Sequence, residues 1–195
     1  ELTSQQRKYY KLLKDNMTFT VNGKDITASN AAVNMNKLLQ ISSGAVYSDE
    51  GHSLEFDVSN RYKVLKEVIN ESAKKVLVFV PFKHTIQIVS EKLQDDGIST
   101  NVISGNVAAS KRSEIFKKFQ TEPDPRVLVI QPQSAAHGVT LTAANTVVWW
   151  APIMSLETYA QANARVHRAG QDNKCTVVQL QGSPVERHFW VAIDN

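Results

Sequence analysis

The stretch RVLVIQPQSAAHGVTLTAANTVVWW, residues 126–150, contains two apolar runs separated by a loop of small and polar residues. The runs RVLVIQ (126–131) and TVVWW (146–150) are rich in β-branched and aromatic residues and do not alternate with polar ones. Such runs are typical of strands that are buried on both faces, as in a parallel sheet covered by helices. The stretch therefore predicts the centre of an α/β sheet.

Similar runs lie on both sides of this stretch and predict the remaining strands of the sheet: KVLVFVP (75–81), TNVIS (100–104) and CTVVQL (175–180). Amphipathic segments between the strands predict helices over 84–97, 108–120 and 155–170, the last from a Ser155 cap to Gly170. Repeated alternation of strand and helix favours a mostly parallel sheet with helices on both faces.

The first fifty residues have a different pattern. Two helices are predicted over 1–17 and 29–44, and Asn22-Gly23 between them suits a tight hairpin turn. We interpret residues 1–50 as a helical connector and residues 51–195 as the α/β domain.

The composition bounds the class of protein. The chain has 195 residues, of which 42% are hydrophobic and 21% charged, as in ordinary globular proteins. The net charge of +3 is too small to indicate nucleic-acid binding by itself. A single cysteine, Cys175, excludes an internal disulfide framework and predicts a reducing, cytoplasmic location. No apolar run approaches the roughly 20 residues of a membrane span, so we expect no membrane partner.

The segment QANARVHRAGQ (161–171) carries the strongest candidate site. On a helix with about 100° per residue, Gln161, Arg165 and Arg168 would share one face. Arginine offers a rigid fork of donors that suits phosphate oxygens. The alternative is a surface helix whose arginines pair with acidic neighbours. The small residues of loop 131–145 allow close approach to a phosphate, although tight packing explains them as well.

QANARVHRAGQ resembles motif six of the Swi/Snf-type helicase-like ATPases of helicase superfamily two, and every fixed position of that motif is met. SAAHGVTLTAAN (134–145) resembles motif five, KVLVFVPF (75–82) motif four, and VISGNVAASKRSEIFKKFQ (102–120) the segment between them. The resemblance covers nearly the whole chain, and the form of motif five is closest to small phage and bacterial members.

The resemblance implies the second RecA-like lobe of a two-lobe motor. It implies that Arg165 and Arg168 are arginine fingers for the γ-phosphate of ATP, that Gln161 positions the phosphate or the attacking water, and that Gly138 keeps motif five tight against the nucleotide. The resemblance also implies a set of residues that face the DNA backbone: Pro81, Phe82, Ser104, Gly105, His137 and Thr140.

Features that an ATP site needs are missing from the sequence. No GxxxxGK[S/T] loop is present in the sequence. Its only Gly-Lys pair, Gly23-Lys24, is followed by Asp25 instead of Ser or Thr. DEGH (49–52) imitates a magnesium-binding box but follows no buried strand, so we interpret it as an acidic turn. We therefore expect ATP and Mg²⁺ to be bound mainly by a first lobe absent from this chain, which begins with Glu and which we expect to be a fragment.

We expect the parent protein to be a DNA-dependent ATPase that moves along double-stranded DNA without sequence preference, in the cytoplasm of a bacterial or phage-infected cell. We expect the fragment alone to be inactive. Two alternatives stay open: a non-catalytic nucleic-acid-binding or scaffold module, and a lobe of an RNA-directed superfamily-two helicase. The five histidines are too scattered to predict a metal site.

Overall fold

The structure is a computed structural model that describes residues 1–135 and 138–195. The chain forms two compact units, one of residues 1–63 with 181–195 and one of residues 64–180. We call them unit 1 and unit 2. The predicted domain boundary between residues 50 and 51 stays a prediction.

Unit 1 begins with helices and hairpins. Its elements are α1 (Ser4–Asn16), β1 (Thr18–Val21), β2 (Lys24–Thr27), α2 (Ala31–Ser43), β3 (Ala45–Tyr47), β4 (Ser53–Glu55) and the start of α3 (Ser59–Glu71). Strands β1 and β2 pair antiparallel around Asn22-Gly23, whose φ angles of 51° and 72° suit a tight hairpin turn. Asp49 and Glu50 are exposed in the turn between β3 and β4.

Unit 2 alternates strand and helix. After the rest of α3 come β5 (Lys75–Phe79), α4 (Lys83–Asp95), β6 (Thr100–Ile103), α5 (Ala109–Thr121), β7 (Val127–Ile130), a 3₁₀ turn (Pro132–Ala135), β8 (Ala144–Trp149), α6 (Leu156–Asn163) and β9 (Thr176–Gln179). The five strands are all parallel, in the order β6-β7-β5-β8-β9. The predicted fold, a parallel RecA-like sheet flanked by helices, is confirmed.

The central strands are apolar because both of their faces are covered. Every residue of β7 is fully buried, as continuous apolar runs predict. Trp149 of β8 stacks on Phe79 of β5 with ring centroids 4.8 Å apart. The Trp149 indole Nε1 donates to Asn163 Oδ1 at 2.8 Å, which fixes the end of α6 against the sheet.

The last helix, α7 (Pro184–Asp194), returns to unit 1. It begins after Ser183 with proline in its first turn, a position where the missing N–H costs nothing. Within the described residues, no helix is long and apolar enough to cross a membrane.

Candidate functional site

Arg165 lies just beyond the end of α6 and is almost completely buried. Only 8% of its surface is exposed. Its Nε donates to the backbone carbonyl of Gln161 at 2.8 Å. Its Nη1 is buried and has no hydrogen-bond partner among residues 1–135 and 138–195. A buried guanidinium with an unsatisfied donor is costly, so an acceptor from outside the described residues would stabilise this group.

The predicted helix over 155–170 is wrong in its second half. The helix begins at the Ser155 cap as expected but ends at Asn163, and Arg165 and Arg168 lie in the turns that follow. The carbonyl of Arg165 accepts from the Leu141 N–H at 2.9 Å, instead of from a later residue of the helix. After Asn163 the backbone therefore forms hydrogen bonds with loop 138–144 instead of continuing the helix. Arg165 and Arg168 lie in turns and do not share one helical face.

Arg168 is exposed and binds the motif-five loop. Its Nη1 donates to the carbonyls of Gly138 and Val139, each at 2.9 Å. Gly138 has a φ of +80°, a conformation that favours glycine. A Cβ on Gly138 would lie 3.6 Å from Nη1 of Arg165, so Gly138 lies beside Arg165 while its carbonyl binds Arg168.

The two arginines form a locally positive site. Burial lowers the pKa of Arg165 from its ordinary value, and the charge of Arg168 lowers this pKa further. Arginine nevertheless stays protonated in proteins. Within the described part of the chain no carboxylate forms an ion pair with either arginine. The arrangement can therefore accept an anion.

Gln161 lies in the last turn of α6. Its Nε2 donates to Glu157 Oε1 at 3.2 Å, and its backbone carbonyl holds Arg165. The structure thus connects Gln161 to Arg165 through the backbone. Its predicted role toward water or phosphate stays a prediction.

The predicted DNA-facing residues follow the carboxyl ends of the strands. Pro81 and Phe82 come after β5, and Ser104 and Gly105 come after β6. Because the strands are parallel, both segments lie at the same edge of the sheet. Thr140 is exposed on the loop that precedes β8, and His137 lies outside the described residues.

Sequence reasoning missed Gln131, which links two of these segments. It follows β7 directly, and its Oε1 accepts from the Gly105 N–H at 3.1 Å. A polar residue at the carboxyl end of a fully apolar strand was the signal that could have found it.

The helices at this edge begin without side-chain caps. Phe82 precedes α4 and Ala108 precedes α5, and neither makes a capping hydrogen bond. The first N–H groups of both helices therefore lack the acceptor that Ser155 supplies to α6.

A metal site is not part of this arrangement in the described residues. Among residues 1–135 and 138–195, no group of three or more His, Cys, Asp or Glu side chains could hold a metal ion.

Comparison with known proteins identifies the family. The family described as "Helicase conserved C-terminal domain" matches residues 60–170, more than half of the chain. The chain belongs to this family. The matched residues include both arginines, the motif-five loop and the segments after β5 and β6. The resemblance to Swi/Snf-type helicases is confirmed, whereas the closeness to phage and bacterial members stays a prediction.

Relatives match this helicase domain over part of their length. The human "DNA annealing helicase and endonuclease ZRANB3" is 32% identical over 116 residues, 60% of this chain and 10% of that protein. The "CHD3-type chromatin-remodeling factor CHR7" of Arabidopsis thaliana is 24% identical over 204 residues, 96% of this chain and 17% of that protein. The chain thus spans between a tenth and a sixth of the length of these relatives.

Solved structures support the fold. The structure titled "Crystal structure of the C-terminal part of Fun30 ATPase domain" has a TM-score of 0.64 and 20% identity, over 67% of this chain and 44% of that one. At this identity the likeness shows the fold alone.

Proposed function

We propose that this helicase C-terminal domain is the second motor lobe of an ATP-dependent DNA helicase or translocase. It delivers Arg165 and Arg168 to ATP that is held, with Mg²⁺, mainly on a first lobe outside this chain. The full protein is then a DNA-dependent ATPase, and this chain alone does not turn ATP over.

The buried Nη1 of Arg165 carries this proposal. A cationic donor that is buried without a partner is stabilised when an anion reaches it. The transferring γ-phosphoryl group spreads negative charge over its oxygens, and a fixed arginine there contributes a factor of about 10³–10⁵ in rate. The fork of Arg165 is held by Gln161 before the anion arrives, so little reorganisation is needed.

The other residues of the site have supporting roles in the proposal. Arg168 contacts the phosphate from the exposed side while it anchors Gly138 and Val139. Gly138 lets the loop pass close to the arginines. Gln161 positions the phosphate or the attacking water.

The edge of the sheet that carries Pro81, Phe82, Ser104 and Gly105 contacts the DNA backbone in this proposal. Free N–H groups at helix starts bind phosphates, and both α4 and α5 begin there without side-chain caps. His137 and Thr140 are assigned to the same role. Phosphate contacts carry no sequence information, so we expect binding without sequence preference. The name of the human relative, a DNA annealing helicase, favours DNA over RNA.

The test is steady-state phosphate release by the full-length protein with double-stranded DNA, single-stranded DNA or RNA. We expect stimulation by double-stranded DNA and none for this chain alone. Stimulation by RNA alone would instead support an RNA-directed helicase. Absence of turnover with every nucleic acid would support a non-catalytic binding module.

A further inference from the structure

Gln171 holds three backbone carbonyls with one side chain. Its Nε2 donates to the carbonyls of Thr142 at 3.3 Å, Ala144 at 2.8 Å and Val166 at 3.0 Å. Thr142 and Ala144 lie in the segment 134–145 that resembles motif five, and Val166 is the residue after Arg165. One amide therefore connects the backbone of motif five to that of motif six.

Lys74 orients the amide of Gln171. It directly precedes β5, and its Nζ donates to Gln171 Oε1 at 3.2 Å and to the carbonyl of Thr142 at 2.9 Å. The Asn173 N–H donates to the same Oε1 at 3.2 Å. Donors thus surround the oxygen of this amide and acceptors surround its nitrogen, which fixes the orientation of the amide; its two N–H groups serve three carbonyls, so one N–H is shared between two of them.

The contacts of Gln171 add to a series of other hydrogen bonds that join segment 138–144 to segment 164–171. Arg168 binds the carbonyls of Gly138 and Val139, and the Leu141 N–H binds the carbonyl of Arg165. Gln171 extends the series to Thr142 and beyond, so segments 138–144 and 164–171 are joined along their length. The positions of both arginines therefore depend on how the far end of this series is held.

From these contacts we propose that Lys74 and Gln171 are positioning residues for catalysis, which set the backbone that carries Arg165 and Arg168. The proposal rests on the proposed function. Neither residue touches ATP. Their effect is on the placement of the arginines, and misplacement by about 1 Å can cost a factor of about 100 in rate.

Two substitutions separate positioning from general stability. Gln171→Glu keeps an oxygen for Lys74 but removes the donors to three carbonyls and places negative charge beside them. Lys74→Met removes the cation and keeps most of the chain length, whereas Lys74→Arg keeps a cationic donor. Lys66→Met is the control, since Lys66 forms a half-exposed ion pair with Asp96, at 3.3 Å, and takes part in none of the described contacts of Arg165 and Arg168.

The experiment measures kcat and KM for ATP in the full-length protein with saturating double-stranded DNA, together with the melting temperature of each variant. We expect Lys74→Met and Gln171→Glu to lower kcat by about 10- to 100-fold. We expect KM to stay within about threefold, because ATP is bound mainly by the other lobe. Lys74→Arg should recover most of the loss, and Lys66→Met should behave as the wild type.

Unchanged kcat in Lys74→Met and Gln171→Glu would overturn the inference. A loss that follows the melting temperature and is not recovered by Lys74→Arg would also overturn it, because it would indicate stability alone. Arg165→Ala is the reference in the same assay. If Arg165→Ala retains turnover, the proposed function fails and the inference with it; if only Lys74→Met and Gln171→Glu retain turnover, the inference alone fails.

Discussion

Arg61 in unit 1 and Arg165 in unit 2 are buried to the same extent, with 8% of the surface of each exposed. Their surroundings are opposite. Arg61 binds Glu186 with both terminal nitrogens, at 2.6 and 2.5 Å. Arg165 binds one backbone carbonyl through Nε and keeps a buried Nη1 that no described residue satisfies.

The carboxylate of Glu186 has hydrogen-bond partners besides Arg61. It is completely buried and also accepts from the Gly182 N–H and the Ser183 hydroxyl, each at 3.0 Å. A buried cation that finds its anion within the chain belongs to the fold. The Nη1 of Arg165 has no partner among the described residues; such an unsatisfied donor costs about 1–3 kcal/mol, and the proposed function assigns an anion from outside the chain to it.

We expect the largest change for Arg165, in the rate of ATP turnover. In the full-length protein, Arg165→Ala should lower ATP turnover by about 10³-fold or more, because the transition-state charge loses its fixed partner. Affinity for ATP should change little, since in the proposed function ATP is bound mainly by the other lobe. Phosphate release and equilibrium nucleotide binding measure the two quantities. Equal losses in both would indicate an arginine that binds the ground state.

The next effect concerns Arg61. Glu186→Ala leaves Arg61 buried without its carboxylate and should reduce the free energy of unfolding by about 3–5 kcal/mol. Urea unfolding measures the loss. Replacing both partners, as Arg61→Met with Glu186→Leu, should recover a large part of it, since no charge is then left buried. If the double variant is no more stable than Glu186→Ala, the pair does more than neutralise charge.

A smaller change in stability and turnover is expected at Gly138, which lies beside both arginines. Gly138→Ala and Gly97→Ala both place a side chain at positive φ, at +80° and +75°, and each should reduce stability by about 1–2 kcal/mol. A Cβ at Gly97 meets nothing within 4 Å, whereas at Gly138 it faces Nη1 of Arg165. The 3.6 Å distance is an ordinary contact, but Gly138 also carries a carbonyl that binds Arg168 at 2.9 Å, so backbone strain at Gly138 should displace an arginine of the site and only Gly138→Ala should lower turnover. Similar turnover in the two variants would separate the loop from catalysis.

The smallest effect is a pH dependence near the Arg61–Glu186 pair. Burial raises the pKa of Tyr10, and the charge of Glu186 raises it further, against the bond that its hydroxyl accepts from the Val185 N–H. A raised pKa in the folded state stabilises the protein fully below the unfolded value of about 10. That contribution is lost as the pH rises through the folded pKa.

The wild type should therefore lose stability above about pH 10 more steeply than Tyr10→Phe. Urea unfolding of both proteins between about pH 8 and about pH 11 measures this difference. A constant difference across that range would contradict the assignment to Tyr10.

The parallel sheet could be predicted because its strands are rich in β-branched and apolar residues, most clearly β7, which is a continuous apolar run. The Asn22-Gly23 turn could be predicted from local backbone preference. Helices α3 and α7 were not predicted, although Ser183-Pro184 is a recognisable start for α7. The strands, the turn and the helix starts all depend on patterns within a few neighbouring residues of the sequence.

The geometry of the site depends on distant residues and could not be predicted. Periodicity extended α6 to Gly170, but Leu141 captures the carbonyl of Arg165. The alternative of a surface helix whose arginines pair with acidic neighbours concerned Arg165 and Arg168, and no described carboxylate forms an ion pair with either. Arg61 pairs with Glu186, and only the fold shows that this carboxylate is near. Lys74 and Gln171 lie far apart in sequence, so their contact leaves no local pattern.

The most direct test of the account compares the free energies of unfolding of Arg165→Met and Arg61→Met. Methionine keeps an apolar chain and removes the guanidinium in both. We expect Arg61→Met to lose about 3–5 kcal/mol, because Glu186 is left buried and charged. Arg165→Met should lose about 1 kcal/mol or less, or gain stability, because an unsatisfied donor is removed. A loss for Arg165→Met as large as that for Arg61→Met would show that Arg165 serves the fold, and would contradict its assignment to an external anion.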